Sequence, residues 1–377
     1  MARRVYFHVG VPKSGTTFLQ TAMWHNRDRL KEQGFLYPGS KRMDHYHASQ
    51  VVRGASRRRL GSSGDAWDHL VGQLDSWPGT GLVSHEFFSM ATRGQAQEAV
   101  AALAPAEVHV VLTARDYVRQ FPAVWQEALK MSWDGSFDEF MKKAFARELR
   151  GAWSWKSQDV PAVLERWSSA VPPERVHVVT LPPPGAPRNL LWQRWCEVLE
   201  LDDSTFDLDL TFANESLGAA QAALLRQVKP HLSGPLSEGP VRHRWLRQYF
   251  GHEVLVPQRG DRFGVRDADA AQLRELSIAA AEAIDRAGYP VTGDLADLVP
   301  AEVQPSQPHP DDVTETEMLE VAARAIEQMV RDVRELHNQR NHWRERARRL
   351  AATNTLRGRS REALRRIAGR TGVGGDR

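Results

Sequence analysis

Short apolar runs rich in valine alternate with longer amphipathic stretches through the first two hundred residues. Each run has the length of a buried strand. The four runs are VYFHV (5–9), GLVS (81–84), VHVVLTA (108–114) and VHVVTL (176–181). Helical spacing of apolar residues is found at 16–33, 94–104, 119–131 and 189–200. This alternation predicts an α/β fold with helices on the faces of a central parallel sheet.

The pattern changes near residue 300. Two further helical segments, 211–230 and 267–288, complete a first domain over 1–300. A cluster of prolines among polar residues then predicts a linker over 301–314. The prolines are Pro300, Pro305, Pro308 and Pro310.

Beyond the linker, six apolar residues follow a 3-4-3-4-3 spacing: Leu319, Ala322, Ile326, Met329, Val333 and Leu336. This heptad-like seam predicts an amphipathic or coiled-coil helix over 315–350 as a C-terminal extension. Two interpretations stay open, since the helix could pack on its own domain or form a homo-oligomer through 319–336.

Charge is distributed unevenly along the chain. The net charge is +3, whereas residues 340–377 hold twelve arginines and three acidic residues, a balance of +9. The rest of the chain therefore carries 3 − 9 = −6. The tail over 351–377 is predicted to be either solvated or in contact with an anionic surface such as lipid, nucleic acid or glycan.

Other features exclude whole classes of protein. A single cysteine, Cys196, excludes an intramolecular disulfide and a cysteine-based zinc site, and its apolar surroundings predict a buried thiol. No apolar run reaches the ~20 residues of a membrane span, and no secretory signal is apparent. We therefore expect no transmembrane segment and a cytoplasmic location.

The strongest chemical signal is HVGVPKSGTTFLQ at 8–20. A buried strand leads into Gly10, and after a short loop a helix opens at Thr16. Such a loop can turn its N–H groups inward below a helix N-terminus, which suits a phosphate. Gly10 and Gly15 have the Walker A separation, but Thr16 stands where that pattern has lysine. The lysine, Lys13, lies at the tip of the loop, where it suits a group attached to a 5'-phosphate.

PKSGTTFLQ resembles the 5'-phosphosulfate loop of the sulfotransferase family that uses 3'-phosphoadenosine-5'-phosphosulfate (PAPS), in its bacterial branch. The resemblance implies a P-loop-like three-layer fold and PAPS as co-substrate without a metal. It implies transfer of a sulfuryl group to a hydroxyl or amine of an acceptor, with a carbohydrate or small metabolite favoured. Lys13 would contact the bridging oxygen. The implied donor-binding residues are Pro12, Lys13, Ser14, Gly15, Thr16 and Thr17.

A second segment, VVLTARDYVRQFPAVWQE, resembles the 3'-phosphate segment of that family, which has two arginines and a serine. Arg115 takes the first arginine position and Arg119 the second. An arginine fork suits a terminal phosphate because it offers paired charged hydrogen bonds. Phe121, Pro122 and Ala123 stand where the serine is expected, which leaves Arg119 or Gln120 to make that contact. NESLG (214–218) and YPVTGDLADLVP (289–300) carry a weaker resemblance.

Transfer to a hydroxyl needs a general base, and two segments offer one. In SHEFFS (84–89), His85 and Glu86 occupy the strand end where the family places its base or a lysine. In YPGSKRMDHYHAS (37–49), His45 and His47 would share a face of an extended segment. We rank Glu86 and His85 first. Metal binding by the two histidines and Asp44 is a weak pattern, and no metal site is predicted.

Two other functions fit parts of the pattern. One is a P-loop small-molecule kinase that uses ATP, which the missing Walker lysine disfavours. The other is a polyanion-binding interaction protein that works through its basic tail. Some tryptophans either line an acceptor cleft or belong to the core: Trp67, Trp77, Trp125, Trp133, Trp153 and Trp155.

Overall fold

The computed structural model describes residues 1–210, 216–301 and 306–370, with side chains as far as Ala351 except that of Pro240. Within these ranges six parallel strands form one sheet in the order β2-β3-β1-β4-β5-β6. The strands are β1 (Arg4–His8), β2 (Phe35–Leu36), β3 (Thr80–Ser84), β4 (Glu107–Ala114), β5 (Val176–Thr180) and β6 (Val291–Thr292).

Helices connect the strands and cover both faces of the sheet. The described α-helices are α1 (Thr16–His25), α2 (Arg27–Glu32), α3 (Asp44–Val52), α4 (Arg57–Leu60), α5 (Ala66–Asp75), α6 (Arg93–Ala101), α7 (Tyr117–Met131), α8 (Phe137–Phe145), α9 (Trp155–Gln158), α10 (Val160–Ser168), α11 (Leu190–Leu199), α12 (Ala219–Val228), α13 (Gly239–Arg242), α14 (Asp267–Ala287) and α15 (Glu315–Arg370). A π-helix spans His243–Leu255, and a 3₁₀ turn spans Glu86–Met90.

The predicted α/β class with a central parallel sheet is confirmed. The four valine-rich runs form β1, β3, β4 and β5. The strands that the pattern missed, β2 and β6, have only two residues each and lie at the two edges of the sheet. A two-residue strand is too short to show a period in sequence.

Alternation along β1 builds two separate apolar layers. Val5 and Phe7 pack on one face with Trp167, while Tyr6 packs on the other with Trp195. Successive side chains of a strand point to opposite faces, so a continuous apolar run is what a strand buried on both faces requires. The result is the three-layer arrangement of helices, sheet and helices. Cys196 is buried in α11, as predicted.

The order of the strands places three chain segments at one edge of the sheet. From β1 the chain moves to one side for β2 and β3, and then to the other side for β4, β5 and β6. Because all pairs are parallel, the carboxyl ends of β3, β1 and β4 lie side by side. In open sheets of this kind, the crevice beside such a reversal is the usual ligand site.

The helix α15 spans Glu315–Arg370, past the predicted end at 350. Residues from Leu319 onward form a second compact unit. Leu319, Ile326 and Val333 of the heptad-like seam are more than 60% exposed. Self-association through this seam and surface contact by the tail stay predictions, and residues 371–377 lie outside the described part. No helix in the described ranges is long and apolar enough to cross a bilayer.

Part of the predicted linker lies within the first compact unit, Met1–Met318, and contacts the start of α8. Asp311 accepts hydrogen bonds from the backbone N–H groups of Phe137 (3.2 Å) and Asp138 (2.8 Å), at the start of α8. Its carboxylate also lies 3.6 Å from Arg226. Residues 302–305 and most of the NESLG motif lie outside the described residues. The boundary at 300 stays a prediction, and these contacts favour one beyond 312.

Replacing Asp311 with alanine tests this packing. The change removes an acceptor for two backbone donors at a helix start, so we expect the free energy of unfolding to fall by about 1–2 kcal/mol. Asp312→Ala is the matched control, because Asp312 is exposed and pairs with the exposed Arg266. We expect a much smaller change there. Urea unfolding followed by circular dichroism measures both. Equal stability of Asp311→Ala and wild type would show that the segment behaves as a free linker.

Candidate active site

The loop between β1 and α1 has the backbone of a phosphate cradle. Three of its residues adopt positive φ values: Gly10 (59°), Lys13 (69°) and Gly15 (86°). A chain that alternates between left-handed and right-handed conformations turns successive N–H groups toward one concavity. Gly10 also allows a close approach, because a Cβ atom there would lie 2.8 Å from the Cα atom of Glu86. The loop therefore packs directly against the segment that follows β3.

A buried network beneath the loop joins the three central strands. The Ser14 hydroxyl lies 2.6 Å from the Thr113 hydroxyl and donates to the Val11 carbonyl at 2.7 Å. His8 joins this network, with Nε2 3.3 Å from Thr113 Oγ1 and Nδ1 2.7 Å from Ser84 Oγ. Burial lowers the pKa of His8 to about 3, so its ring is neutral. The Ser14 hydroxyl is thus engaged with the Val11 carbonyl and with Thr113 of β4, and it is not directed to a ligand.

The two threonines of the loop differ in exposure. Thr16 is buried, whereas Thr17 is exposed on the first turn of α1. Pro12 is buried and Gly15 adjoins Leu191. Of the loop's hydroxyl groups, that of Thr17 is the one open to a ligand.

Lys13 forms an ion pair that the sequence did not indicate. Its Nζ atom lies 3.3 Å from Glu127 Oε2, a carboxylate on α7. Arg247 of the π-helix donates to Glu127 Oε1 at 2.6 Å, and Lys130 Nζ lies 3.7 Å away. Burial alone would raise the pKa of Glu127, but the charges of Lys13, Lys130 and Arg247 together hold it well below its usual range. The negative charge of Glu127 therefore partly offsets the positive charges of the three cations around it.

Arg115 connects the two resembling segments, although they lie about a hundred residues apart in sequence. Its Nη1 atom donates to the backbone carbonyl of Lys13 at 3.2 Å. Its Nε atom is buried and has no hydrogen-bond partner among the described residues. Burial lowers the pKa of Arg115 to about 10, and the charges of Arg119 and Arg262 act in the same direction. Such a concentration of cations with an unmatched donor suits an anion.

The other predicted members of this cluster are engaged with protein groups. Arg119 pairs with Asp116 and donates to the carbonyl of Pro182 at 3.0 Å. Gln120 is buried against Gln158. Arg262 was not predicted, because it comes from a loop almost 150 residues further along the chain.

His85 and Glu86 lie where β3 ends, beside the loop. Glu86 Oε2 accepts from Gln20 at 2.9 Å and lies 3.7 Å from His85 Nδ1. Burial opposes ionisation of Glu86, but His85 and the hydrogen bond from Gln20 outweigh it, so its pKa falls below the ordinary value. Its side chain is 20% exposed.

The geometry separates the roles open to these two residues. His85 Nδ1 accepts a hydrogen bond from the backbone N–H of Phe87 at 3.1 Å. Burial lowers the pKa of His85, so its ring is neutral at pH 7, with the proton on Nε2. The unprotonated nitrogen of His85, Nδ1, is therefore already engaged with the N–H group of Phe87. Glu86 is ionised and holds the lone pairs that can accept a proton.

His45 and His47 lie on α3 and not on the extended segment that we expected. His45 donates from Nε2 to the carbonyl of Pro38 at 2.9 Å, and its Nδ1 accepts from the N–H of Ser84 at 3.3 Å. It also stacks on Tyr37, and burial lowers its pKa to about 4. Both nitrogens are engaged, one with the Pro38 carbonyl and the other with the N–H group of Ser84 at the end of β3, and this arrangement favours a positioning role over that of a base. His47 is half-buried beside Tyr46.

Asp44, His45 and His47 do not converge on a metal-binding arrangement. Among the described residues, the group with suitable ligand spacing is Asp138, His309 and Asp311. There Asp138 pairs with Arg266, while Asp311 accepts from the start of α8. Both carboxylates are therefore engaged in contacts that stabilise the fold.

A cavity of about 660 Å³ opens next to His85. Tyr46 and Phe87 line it, and their rings lie 5.3 and 5.2 Å from the His85 ring. Among the tryptophans considered for an acceptor cleft, Trp153 lines this cavity, whereas Trp67, Trp125 and Trp155 are buried. The loop, Glu86 with His85, and the cavity thus follow one another along the carboxyl edge of the sheet.

Comparisons with known proteins add little to this geometry. No family model matches the chain, and no curated protein matches it. Among solved structures, the chain is similar to a sulfotransferase from Alicyclobacillus acidocaldarius, with 16% identity and a TM-score of 0.37. The match covers 57% of this chain and 88% of that one. A similarity at this level carries no argument about activity, so the function has to be inferred from the site itself.

Proposed function

We propose that this protein is a sulfotransferase that moves a sulfuryl group from PAPS to a hydroxyl or amine of a carbohydrate or small metabolite. The observation that carries the proposal is the hydrogen bond from Arg115 to the carbonyl of Lys13. This contact joins the half-buried Arg115, which has Arg119 and Arg262 nearby, to the tip of the loop that we propose binds a phosphate. A nucleotide with phosphates at both its 3' and 5' positions matches that pair of sites.

In this proposal the loop binds the 5'-phosphosulfate through its N–H groups, the start of α1 and the Thr17 hydroxyl. Arg115, supported by Arg119 and Arg262, binds the 3'-phosphate. An ATP-dependent kinase would need a lysine at position 16, but Thr16 is buried against Gly10 there. PAPS therefore fits the site better than ATP.

The transfer step assigns roles to two residues. The acceptor oxygen attacks sulfur as the bond between sulfur and the bridging oxygen breaks, and the 5'-phosphate leaves with the electron pair. Glu86 accepts the acceptor's proton, since its carboxylate is ionised and partly exposed. Lys13 turns from Glu127 toward the bridging oxygen as negative charge develops there.

Donor recognition is tested with 3'-phosphoadenosine-5'-phosphate (PAP) by calorimetry, in one series with EDTA and in another with magnesium. We expect PAP to bind far more tightly than AMP or magnesium-ATP. Arg115→Ala should weaken the binding of PAP by roughly 2–5 kcal/mol, because it removes one partner of a charged pair. The same change should alter the binding of AMP little.

Arg175→Ala serves as the matched control, because Arg175 precedes β5 at the opposite edge of the sheet. PAP affinity should be unchanged in that variant. Magnesium-dependent ATP binding that exceeds PAP binding would instead favour the kinase.

The role of Lys13 is tested by following release of labelled sulfate from PAPS, since water replaces the unknown acceptor. We expect Lys13→Ala to lower the rate by about 10²–10³-fold while PAP affinity changes much less. Glu127→Gln separates chemistry from the ion pair, because it removes the partner and keeps the lysine. A loss of rate in Glu127→Gln as large as in Lys13→Ala would mean that Lys13 acts through the charge cluster around Glu127, which includes Lys130 and Arg247, and not on the leaving group.

The choice of base is tested in the same assay with Glu86→Gln and His85→Asn. Loss of the proton acceptor should lower the rate by about 10²–10⁴-fold in Glu86→Gln, without weakening PAP binding. His85→Asn should have a smaller effect, because the N–H group of Phe87 already occupies its basic nitrogen. The reverse order of effects would assign the base to His85.

A further inference from the structure

The walls of the cavity beside His85 carry positive charge from several elements. Arg53 follows α3, Arg59 lies in α4, Arg150 precedes the turn that carries Trp153, and Arg242 ends α13. No aspartate or glutamate lines the cavity among the residues that the structure describes. Convergence of cations without carboxylates creates a positive potential that attracts anions.

Two of these arginines are held in place by neighbouring groups, Arg53 by uncharged acceptors and Arg242 in part by a carboxylate. Arg53 donates to the carbonyl of Ser49 at 3.0 Å and to the sulfur of Met90 at 3.1 Å, both uncharged acceptors. Arg242 gives one nitrogen to Asp134 at 2.7 Å, while its Nε atom is buried without a partner among the described residues. Fixed guanidinium groups of this kind suit recognition of a carboxylate, sulfate or phosphate.

The same walls offer flat apolar surfaces. Phe87 lies 6.0 Å from the ring of Trp153, and Arg53 stands over Phe87 at 5.6 Å. Aromatic faces beside charged forks suit a ring that bears both apolar faces and an acidic substituent. The volume of about 660 Å³ lies within the ~300–1,000 Å³ usual for small-molecule sites, so the occupant is small or is the end of a longer chain.

The cavity is separate from the donor loop but adjoins the proposed base. Lys13 and Arg115 do not line it, whereas Phe87 directly follows Glu86. Glu86 does not itself line the cavity, so an acceptor held among the arginines would have to extend past Phe87 for one of its groups to reach Glu86.

We infer that this cavity binds the acceptor, and that the acceptor is an anionic small molecule of saccharide type, held by a carboxylate, sulfate or phosphate group. Its role as acceptor rests on the proposed function. The charge preference of the cavity does not, because binding can be measured without any donor.

The test uses full-length protein and two matched pairs of probes. One pair is 4-nitrophenyl β-D-glucuronide and 4-nitrophenyl β-D-glucoside, which differ in a carboxylate. The other is glucose 6-phosphate and glucose, which differ in a phosphate. At low salt, we expect at least one charged probe to bind about tenfold more tightly than its neutral partner, measured by calorimetry with and without PAP. The pair that shows the difference identifies the preferred anion.

Arg59→Gln combined with Arg150→Gln removes two of the four lining arginines and should reduce that difference, while Arg53 and Arg242 keep part of it. Both residues are exposed, so the double variant keeps the packing of the core. Arg93→Gln is the matched control, because Arg93 is an exposed arginine of α6 outside the cavity. The preference should also weaken as salt is raised to about 0.5 M.

Failure of this inference and failure of the proposed function give different results. Equal affinity for charged and neutral probes in both pairs, or no binding of any probe, would overturn the anionic acceptor even if PAP binds. Displacement of the charged probe by PAP would overturn it as well, because the cavity would then be part of the nucleotide site. If PAP does not bind but the charged probes are still preferred, only the proposed sulfotransferase activity is contradicted.

Discussion

The site depends on one buried imidazole, that of His8 in the central strand. Its two nitrogens contact Ser84 on one side and Thr113 on the other, and Thr113 in turn contacts Ser14. A neutral imidazole can donate through one nitrogen and accept through the other, so a single ring satisfies both neighbours. Because the ring is fully buried, breaking either contact would leave a polar group without water. The loop, the end of β3 and the end of β4 are therefore held in one arrangement.

Electrostatic balance around the loop follows from a second buried group. Glu127 lies among Lys13, Lys130 and Arg247, which come from the loop, α7 and the π-helix. Removing the carboxylate would leave these cations facing one another, so Glu127 allows them to lie close together before any anion binds. A ligand with several negative charges can then take over part of its role.

The sequence predicted those parts of the site that depend on neighbouring residues. The glycines and Lys13 of the loop follow a valine-rich strand and precede a helix, so their geometry is local. Arg115 and Glu86 could be placed because each follows a strand end. Glu127, Arg247 and Arg262 could not, since each interacts with a position more than a hundred residues away in sequence. Glu127 and Arg247 lie in ordinary helical segments, and Arg262 lies in a loop. The helix α3 that carries His45 was not predicted, because it begins within a polar stretch where no apolar period marks it.

The tip of the loop carries a conflict between folding and chemistry. Lys13 holds a left-handed backbone conformation (φ 69°), which costs a residue with a Cβ atom roughly 1–2 kcal/mol. Glycine would relieve that strain but would remove the positive charge. The chain thus gives up folding free energy at this position to keep an ammonium group where the loop turns. A glycine here would relieve the strain at the cost of the ion pair with Glu127, and under the proposed function it would also remove the charge that the transfer step uses.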